Sequence, residues 1–448
     1  MAGVAAIARA AGHRVTGADQ GVYPPMSEQL ADLGIDVIEG YEPSQLEMNP
    51  DVVIVGNIMS RGMPIIEAVL NRRLAYMSGP QWLAAEVLSE QQVVAVAGTH
   101  GKTTTSSLLA FILDQAGLEP GFLIGGVPVD FDASARLGGG SVFVIEADEY
   151  DTAFFDKRAK FLHYQPDIQV INNLEFDHAD IYADLAAIQW QFHQLLRMLP
   201  GNGQLIIPVD DDNVRAVIEQ GCWTAIETFS SNPDSAADWV GLADHPGQFS
   251  LMHEGHSLGS TAWLMSGAHN AENAVAALLA ARSLGVPVDQ AIASIGQFGG
   301  VRRRLELRGT WGEVSLYDDF AHHPTAIERT IAGVSRDTPA GRVLVILEPR
   351  SNTMKLGIHT DKLAAALKVA DAVWVFRPAD LGWDPAEVLR SLTRVQVNAD
   401  VNSIAASVVT QAQPGDKIVV MSNGGFGGIH SLLEAGLSAR FPGREIGV

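Results

Sequence analysis

The segment Gly98-Thr99-His100-Gly101-Lys102-Thr103-Thr104 carries the strongest chemical signal in the chain. Glycines let a backbone approach a ligand closely, and a lysine followed by a threonine suits phosphate together with a divalent cation. Lys102 would neutralise the β and γ phosphates of a nucleotide, and the Thr103 hydroxyl would bind Mg²⁺. The general phosphate-loop pattern also asks for a glycine five residues before Gly101, where this sequence has Val96, so the loop is a shortened variant. One threonine does not complete an Mg²⁺ shell. Downstream, Glu146-Ala147-Asp148-Glu149 offers carboxylates, and Asn172-Asn173-Leu174-Glu175-Phe176-Asp177-His178 offers an imidazole. Thr103, the acids of 146–149 and His178 are therefore the candidate metal ligands. A histidine in such a place is by itself more often structural. Its order in the chain, after the phosphate loop, turns the reading towards a ligand.

These groups need rigid supports that end at one place. Short apolar runs at 51–55, 93–97, Val142–Glu146, Ile168–Ile171, Val343–Leu347, Ala372–Phe376 and Lys417–Met421 predict strands. Helical spacing of apolar residues predicts helices between them, as at 185–199 and 271–284. Alternation of this kind implies an α/β fold with parallel or mostly parallel sheets. The run 93–97, the glycine-rich turn and a helix beginning near Thr103 then form a strand–loop–helix phosphate site. Glu146 falls at the C-terminal edge of a parallel sheet, where ligands bind. Gly299 and Gly300 followed by three arginines suggest a hinge. The expected division is 1–88, 89–306 and 307–448, with polar short strands decorating the central unit at about 230–260.

Bulk properties narrow the function classes. The 448 residues are 47% hydrophobic, enough for large cores. The net charge of −22, from 30 basic and 52 acidic residues, argues against nonspecific nucleic-acid binding. The apolar runs are too short to span a bilayer, and no charged n-region with an apolar core opens the chain. One cysteine, Cys222, excludes an internal disulfide and a cysteine-based metal site. The expectation is a cytoplasmic protein without nucleic-acid or membrane partners, a monomer or weak homodimer.

At this point the residues resemble the Mur ligases of peptidoglycan synthesis. The shortened phosphate loop, the Glu146–Glu149 acids, Asn173 and His178 match that family in order. So do His269-Asn270-Ala271-Glu272-Asn273, Arg303-Arg304-Leu305-Glu306 and Asp318-Asp319-Phe320-Ala321-His322-His323-Pro324. The resemblance implies three domains with a central phosphate-loop ATPase, ATP as cosubstrate and Mg²⁺ held by Thr103, Glu146 and His178. It implies that Asn270 and Asn273 lie near adenine, that Arg304 and Asp318 reach phosphates and ribose, and that His322 approaches the reacting centre beside Lys102 and His178. Other strings resemble the branch that joins UDP-N-acetylmuramate to an intact murein tripeptide. They are Val22-Tyr23-Pro24-Pro25-Met26-Ser27, 150–158, 348–355 and 421–430. Arg350, Asn352 and Lys355, after the strand Val343–Leu347, are candidates for the tripeptide carboxylates, because guanidinium pairs bidentately with carboxylate. The turn at Asn423 would add backbone N–H groups.

Two departures from the family pattern stand out. Members begin with a strand and glycine-rich turn that contact the UDP diphosphate, whereas this sequence opens at Met1-Ala2-Gly3-Val4-Ala5, inside the helix that follows. Several members also use a carbamylated lysine after the metal histidine, and no lysine occurs here between His178 and Pro208. Two other readings stay open: a UDP-N-acetylmuramate–L-alanine ligase, and a sugar-nucleotide-binding protein with impaired turnover.

Overall fold

The computed structural model describes residues 1–22, 26–243, 247–265, 267–337, 341–441 and 444–445. Tyr23-Pro24-Pro25, part of one family-like string, lies outside the described residues. The first body comprises α1 (Ala2–Ala10), β1 (Thr16–Asp19), α2 (Met26–Asp32), β2 (Asp36–Glu39), β3 (Val53–Val55), α3 (Pro64–Asn71), β4 (Tyr76–Ser78) and α4 (Gly79–Glu86). Its strands form two parallel pairs, β1 with β2 and β3 with β4. Ser78 caps α4 by accepting from the Gln81 N–H, while the Gln81 side chain returns to the Ser78 N–H.

The central body runs β5 (Gln92–Ala97), α5 (Lys102–Gln115), β6 (Gly121–Leu123), β7 (Ala135–Arg136), β8 (Val142–Glu146), β9 (Asp151–Ala153), β10 (Asp156–Ala159) and β11 (Ile168–Ile171). It continues through α6 (Leu185–Leu196), β12 (Gln204–Pro208), α7 (Asp212–Ile218), β13 (Ala225–Ser230), β14 (Trp239–Leu242), β15 (Gln248–His253), β16 (His256–Ala262), α8 (Ala268–Ser283) and α9 (Val288–Ile295). Ten of these strands form one sheet in the order β16-β15-β14-β13-β12-β11-β5-β8-β6-β7. The strands from β14 through β12, β11, β5 and β8 to β6 pair in parallel. Side chains alternate between faces, as a pleat demands. Val94 and Val96 enter one core with α5 and α8, while Val93, Ala95 and Ala97 enter the opposite core with α6. Burial on both faces is why β5 reads as an unbroken apolar run. The hairpin β9–β10 leaves the sheet and presses Phe154 and Phe155 onto the core of the first body.

The third body follows as β17 (Glu306–Trp311), β18 (Val314–Asp319), α10 (Pro324–Asp337), β19 (Val343–Leu347), α11 (Asn352–Leu356), α12 (Thr360–Ala366) and β20 (Ala372–Phe376). It ends with α13 (Pro385–Val388), β21 (Val395–Asn398), α14 (Val401–Gln411), β22 (Lys417–Met421), α15 (Ile429–Arg440) and β23 (Arg444–Glu445). Its sheet has the order β21-β20-β19-β22-β18-β17-β23, parallel from β21 to β18.

The chain is thus a three-domain α/β protein with mostly parallel sheets, as expected. Details differ for local reasons. The helix expected at 185–199 stops at Leu196, because Leu199 precedes Pro200 and the proline ring disfavours helical backbone before it. The short strands expected at about 230–260 are present as β14 to β16, and they extend the main sheet. The stretch reads as irregular because the edge strand β16 is largely exposed.

Candidate active site

In the sheet, β5 lies between β11 and β8, so three consecutive strand ends deliver the phosphate loop, the acids and the asparagine-rich loop to one edge. Gly98 has φ +128° and Gly101 φ +82°, and α5 starts directly at Lys102. Asn173 clamps the loop: the His100 N–H donates to its Oδ1 at 2.8 Å, and its Nδ2 donates to the His100 carbonyl at 3.1 Å.

Lys102 is buried. Its Nζ donates to the Gly98 carbonyl at 2.7 Å and to Glu149 Oε2 at 3.0 Å, with Asp148 at 3.8 Å. Burial works against the ammonium, yet Glu149, Asp148 and Glu146 together hold its pKa above the usual lysine value. The Thr103 hydroxyl donates to Glu146 Oε1 at 2.9 Å and accepts from Arg304 Nη2 at 3.0 Å. Burial and the nearby Asp148 push the Glu146 carboxyl up, against the pull of Lys102.

His178 stands on the other side of Lys102. Its Nε2 lies 3.2 Å from Glu149 Oε1, and its ring meets Tyr150 edge-on. Burial alone would lower the imidazole pKa, but Glu149 raises it. Glu149 itself is held at about 2, since Lys102 and His178 overcome the burial that would raise it. Tyr182 donates its phenol to the Glu149 carbonyl. The three candidate metal ligands therefore form two groups, Thr103 with Glu146 and His178 with Glu149. Glu149 joins His178 to Lys102, a role not assigned from the acid string alone.

On α8, Asn273 Oδ1 accepts from Thr105 at 3.2 Å and from Asn172 at 3.4 Å, while its Nδ2 donates to the buried Asn270. That amide braces the phosphate loop. The third body presents the end of β18 to the same place. Arg304 stacks its guanidinium on Phe320 at 4.8 Å. Asp318 is buried between Arg303 Nε at 3.4 Å and His430 Nε2 at 3.1 Å. His322 Nδ1 lies 3.0 Å from the Phe320 carbonyl, and burial lowers its pKa.

A cleft of about 1950 Å³ joins all three bodies. Thr99 to Thr104, Glu146, His178, Asn270, Asn273, Arg304, Asp318 and His322 line it. Gly98, Arg350, Asn352, Lys355 and Asn423 do not. Gly98 sits behind the loop against Asn172 and Asn173. Arg350 lies over Gly424, Asn352 donates to Asp180 at 2.9 Å across the domain seam, and Lys355 pairs with Asp380 at 2.6 Å. Asn423 Oδ1 is buried without a hydrogen-bond partner among the described residues. Sequence reasoning passed over Arg303, which donates to the Ser422 and Gly424 carbonyls at 2.8 Å each and ties the hinge to this turn. Its place in the arginine run was the available signal. Among the described residues no helix is long and apolar enough to cross a membrane.

Comparison with known proteins agrees with this geometry. Residues 1–90 match the model of the Mur ligase family catalytic domain, 96–281 that of the Mur ligase middle domain, and 303–424 that of the Mur ligase glutamate ligase domain. The chain is 50% identical over 442 residues to the UDP-N-acetylmuramate–L-alanyl-γ-D-glutamyl-meso-2,6-diaminoheptandioate ligase of Escherichia coli K12, covering 98% of this chain and 96% of the relative. A crystal structure of a murein peptide ligase from Psychrobacter arcticus superposes with a TM-score of 0.75 at 43% identity, covering 100% of this chain and 97% of the other. The UDP-N-acetylmuramate–alanine ligase of Thermotoga maritima shares the fold at a TM-score of 0.80 and 20% identity, covering 98% and 97%. With a phosphate loop faced by two carboxylate groups and closed over by a third domain, the chain belongs to the Mur ligase family.

Proposed function

We propose that this enzyme uses ATP to join the carboxylate of UDP-N-acetylmuramate to the free amine of L-alanyl-γ-D-glutamyl-meso-diaminopimelate, through an acyl phosphate, in the cytoplasm. The observation that carries the reading is the meeting of Lys102, Thr103 and Glu146 with Arg304 from the hinge. Identity of 50% across nearly the whole chain to a relative named for that acceptor supports the tripeptide.

The donor set fits Mg²⁺: a hydroxyl and a carboxylate are in contact, and burial together with the nearby Asp148 raises the Glu146 pKa, a cost that a bound cation would offset. Thr103 and Glu146 would hold one ion and His178 a second, supplying charge neutralisation at the phosphates. Lys102 leaves Glu149 to meet the β and γ phosphates, and Arg304 follows them from the third domain. Asn270 and Asn273 stand towards adenine, and Asp318 towards ribose. The substrate carboxylate oxygen bonds to the γ-phosphorus as ADP departs. The tripeptide amine then bonds to the acyl carbon, phosphate leaves and the amine proton is released. The Phe320 carbonyl can only accept, so His322 carries its proton on Nδ1 and leaves the Nε2 lone pair free to take that proton. The work is positioning and charge neutralisation. Arg350, Asn352, Lys355 and the Asn423 turn stand at the third-domain edge for the tripeptide carboxylates, reaching them through a further domain movement.

Phosphate release should be stimulated by UDP-N-acetylmuramate plus tripeptide, and far less by L-alanine at equal concentration. Preference for L-alanine would overturn the acceptor assignment. Lys102→Ala should cost at least about a hundredfold in kcat, roughly 3 kcal/mol. Undiminished turnover in that variant would overturn the assignment of the phosphate site.

A further inference from the structure

We propose that His100, Glu175 and His323 form a transition-metal site that bridges the central and third domains. The site is separate from the Mg²⁺ groups and does not depend on the proposed acceptor. His100 sits in the phosphate loop, Glu175 in the loop after β11, and His323 just before α10 of the third domain.

One ligand atom from each of the three residues lies within 4.8 Å of the other two. Glu175 Oε2 is 3.7 Å from His100 Nε2 and 3.6 Å from His323 Nδ1, and the two imidazole centroids are 4.7 Å apart. A tetrahedral ion with bonds near 2.1 Å holds its ligand atoms about 3.4 Å apart, so the two edges to Glu175 need to close by about 0.2–0.3 Å.

The surroundings support a metal rather than a polar seam. His323 is buried, its Nδ1 accepts only a long bond from the Thr325 N–H at 3.3 Å, and His100 Nε2, which faces Glu175, is buried with no hydrogen-bond partner among the described residues. An orphaned buried nitrogen of this kind calls for an unplaced partner. Ligand orientation is already fixed from outside: Thr325 Oγ1 donates to Glu175 Oε2 at 2.7 Å, and Asn173 grips the His100 backbone on both sides. Two imidazoles and one carboxylate favour Zn²⁺, Co²⁺, Ni²⁺ or Cu²⁺ over the oxygen-seeking Mg²⁺. Because the ligands come from two domains, an ion here holds the closed arrangement and immobilises a residue of the phosphate loop.

The test uses the full-length, nucleotide-free protein, titrated with Co²⁺ by visible absorption and with Zn²⁺ against a chromophoric chelator. One saturable equivalent that excess Mg²⁺ does not displace is expected, with the d–d intensity of a four- or five-coordinate ion. His323→Ala and His100→Ala should each weaken it at least about tenfold, whereas His178→Ala leaves it unchanged. X-ray absorption on the Zn²⁺-loaded wild type should resolve two imidazole ligands and does not rely on any variant folding. No saturable binding, binding indifferent to both variants, or a shell without two imidazoles would overturn the proposal.

Discussion

Lys102 and His178 share one buried carboxylate, so Glu149 is the residue on which the unliganded site turns. Its carboxyl is held at about 2, and a group depressed in the folded state stabilises fully above its ordinary value near 4.5. That stability drains away as pH falls through the interval from about 4.5 to 2. Glu149→Gln should therefore unfold in acid with about one fewer proton taken up over that interval, read from the pH dependence of urea midpoints. An unchanged proton uptake would sever Glu149 from the pair. The string Glu146-Ala147-Asp148-Glu149 announced acids beside the loop. Which one faces the lysine depends on the turn after β8, and no spacing rule contains that turn. Lys102, Thr103 and Glu146 were legible because each follows or ends a strand buried on both faces. The pairing of His100 with His323 was not, since the two residues are brought together by domain packing alone.

Among the elements, the β5–loop–α5 unit combines a buried strand with a backbone that tolerates no Cβ. At Gly98 the φ of +128° belongs to glycine, and an added Cβ would sit 2.9 Å from the Asn173 carbonyl oxygen. Neither backbone can retreat, because Asn173 is clamped to His100. Gly98→Ala should destabilise by about 1–3 kcal/mol, lowering the melting temperature by several degrees and raising KM for ATP. A melting temperature and KM equal to wild type would show that the loop relaxes freely. The long apolar strands were readable because a parallel sheet hides both faces of them. The first-body strands β1 and β2 were not, since each has four residues, partly exposed, with no clean period to detect.

In the whole molecule, three neighbouring arginines hold three different partners. Arg302 pairs with Asp132 of the central body at 2.6 Å, Arg303 with the Ser422 and Gly424 carbonyls of the third, and Arg304 with the phosphate-loop hydroxyl of Thr103. The run of glycines and arginines gave away a hinge in the sequence, but the division of labour among the three side chains needed the assembled domains. Arg304→Ala should raise KM for ATP by about tenfold, consistent with loss of a charge-assisted contact. It should also increase the radius of gyration of the ATP-bound protein in small-angle scattering. A variant as compact as wild type, with unchanged KM, would remove Arg304 from closure. The hinge backbone matters as much as its side chains, for Arg303 and Leu305 both occupy left-handed conformations, at φ +61° and +52°. Such torsions are costly for residues with a Cβ and persist when surrounding contacts enforce them. Arg303, tied to the Ser422 and Gly424 carbonyls, and Arg304, tied to Thr103, supply those contacts here, so a backbone that would otherwise relax is kept wound by the two domains it joins.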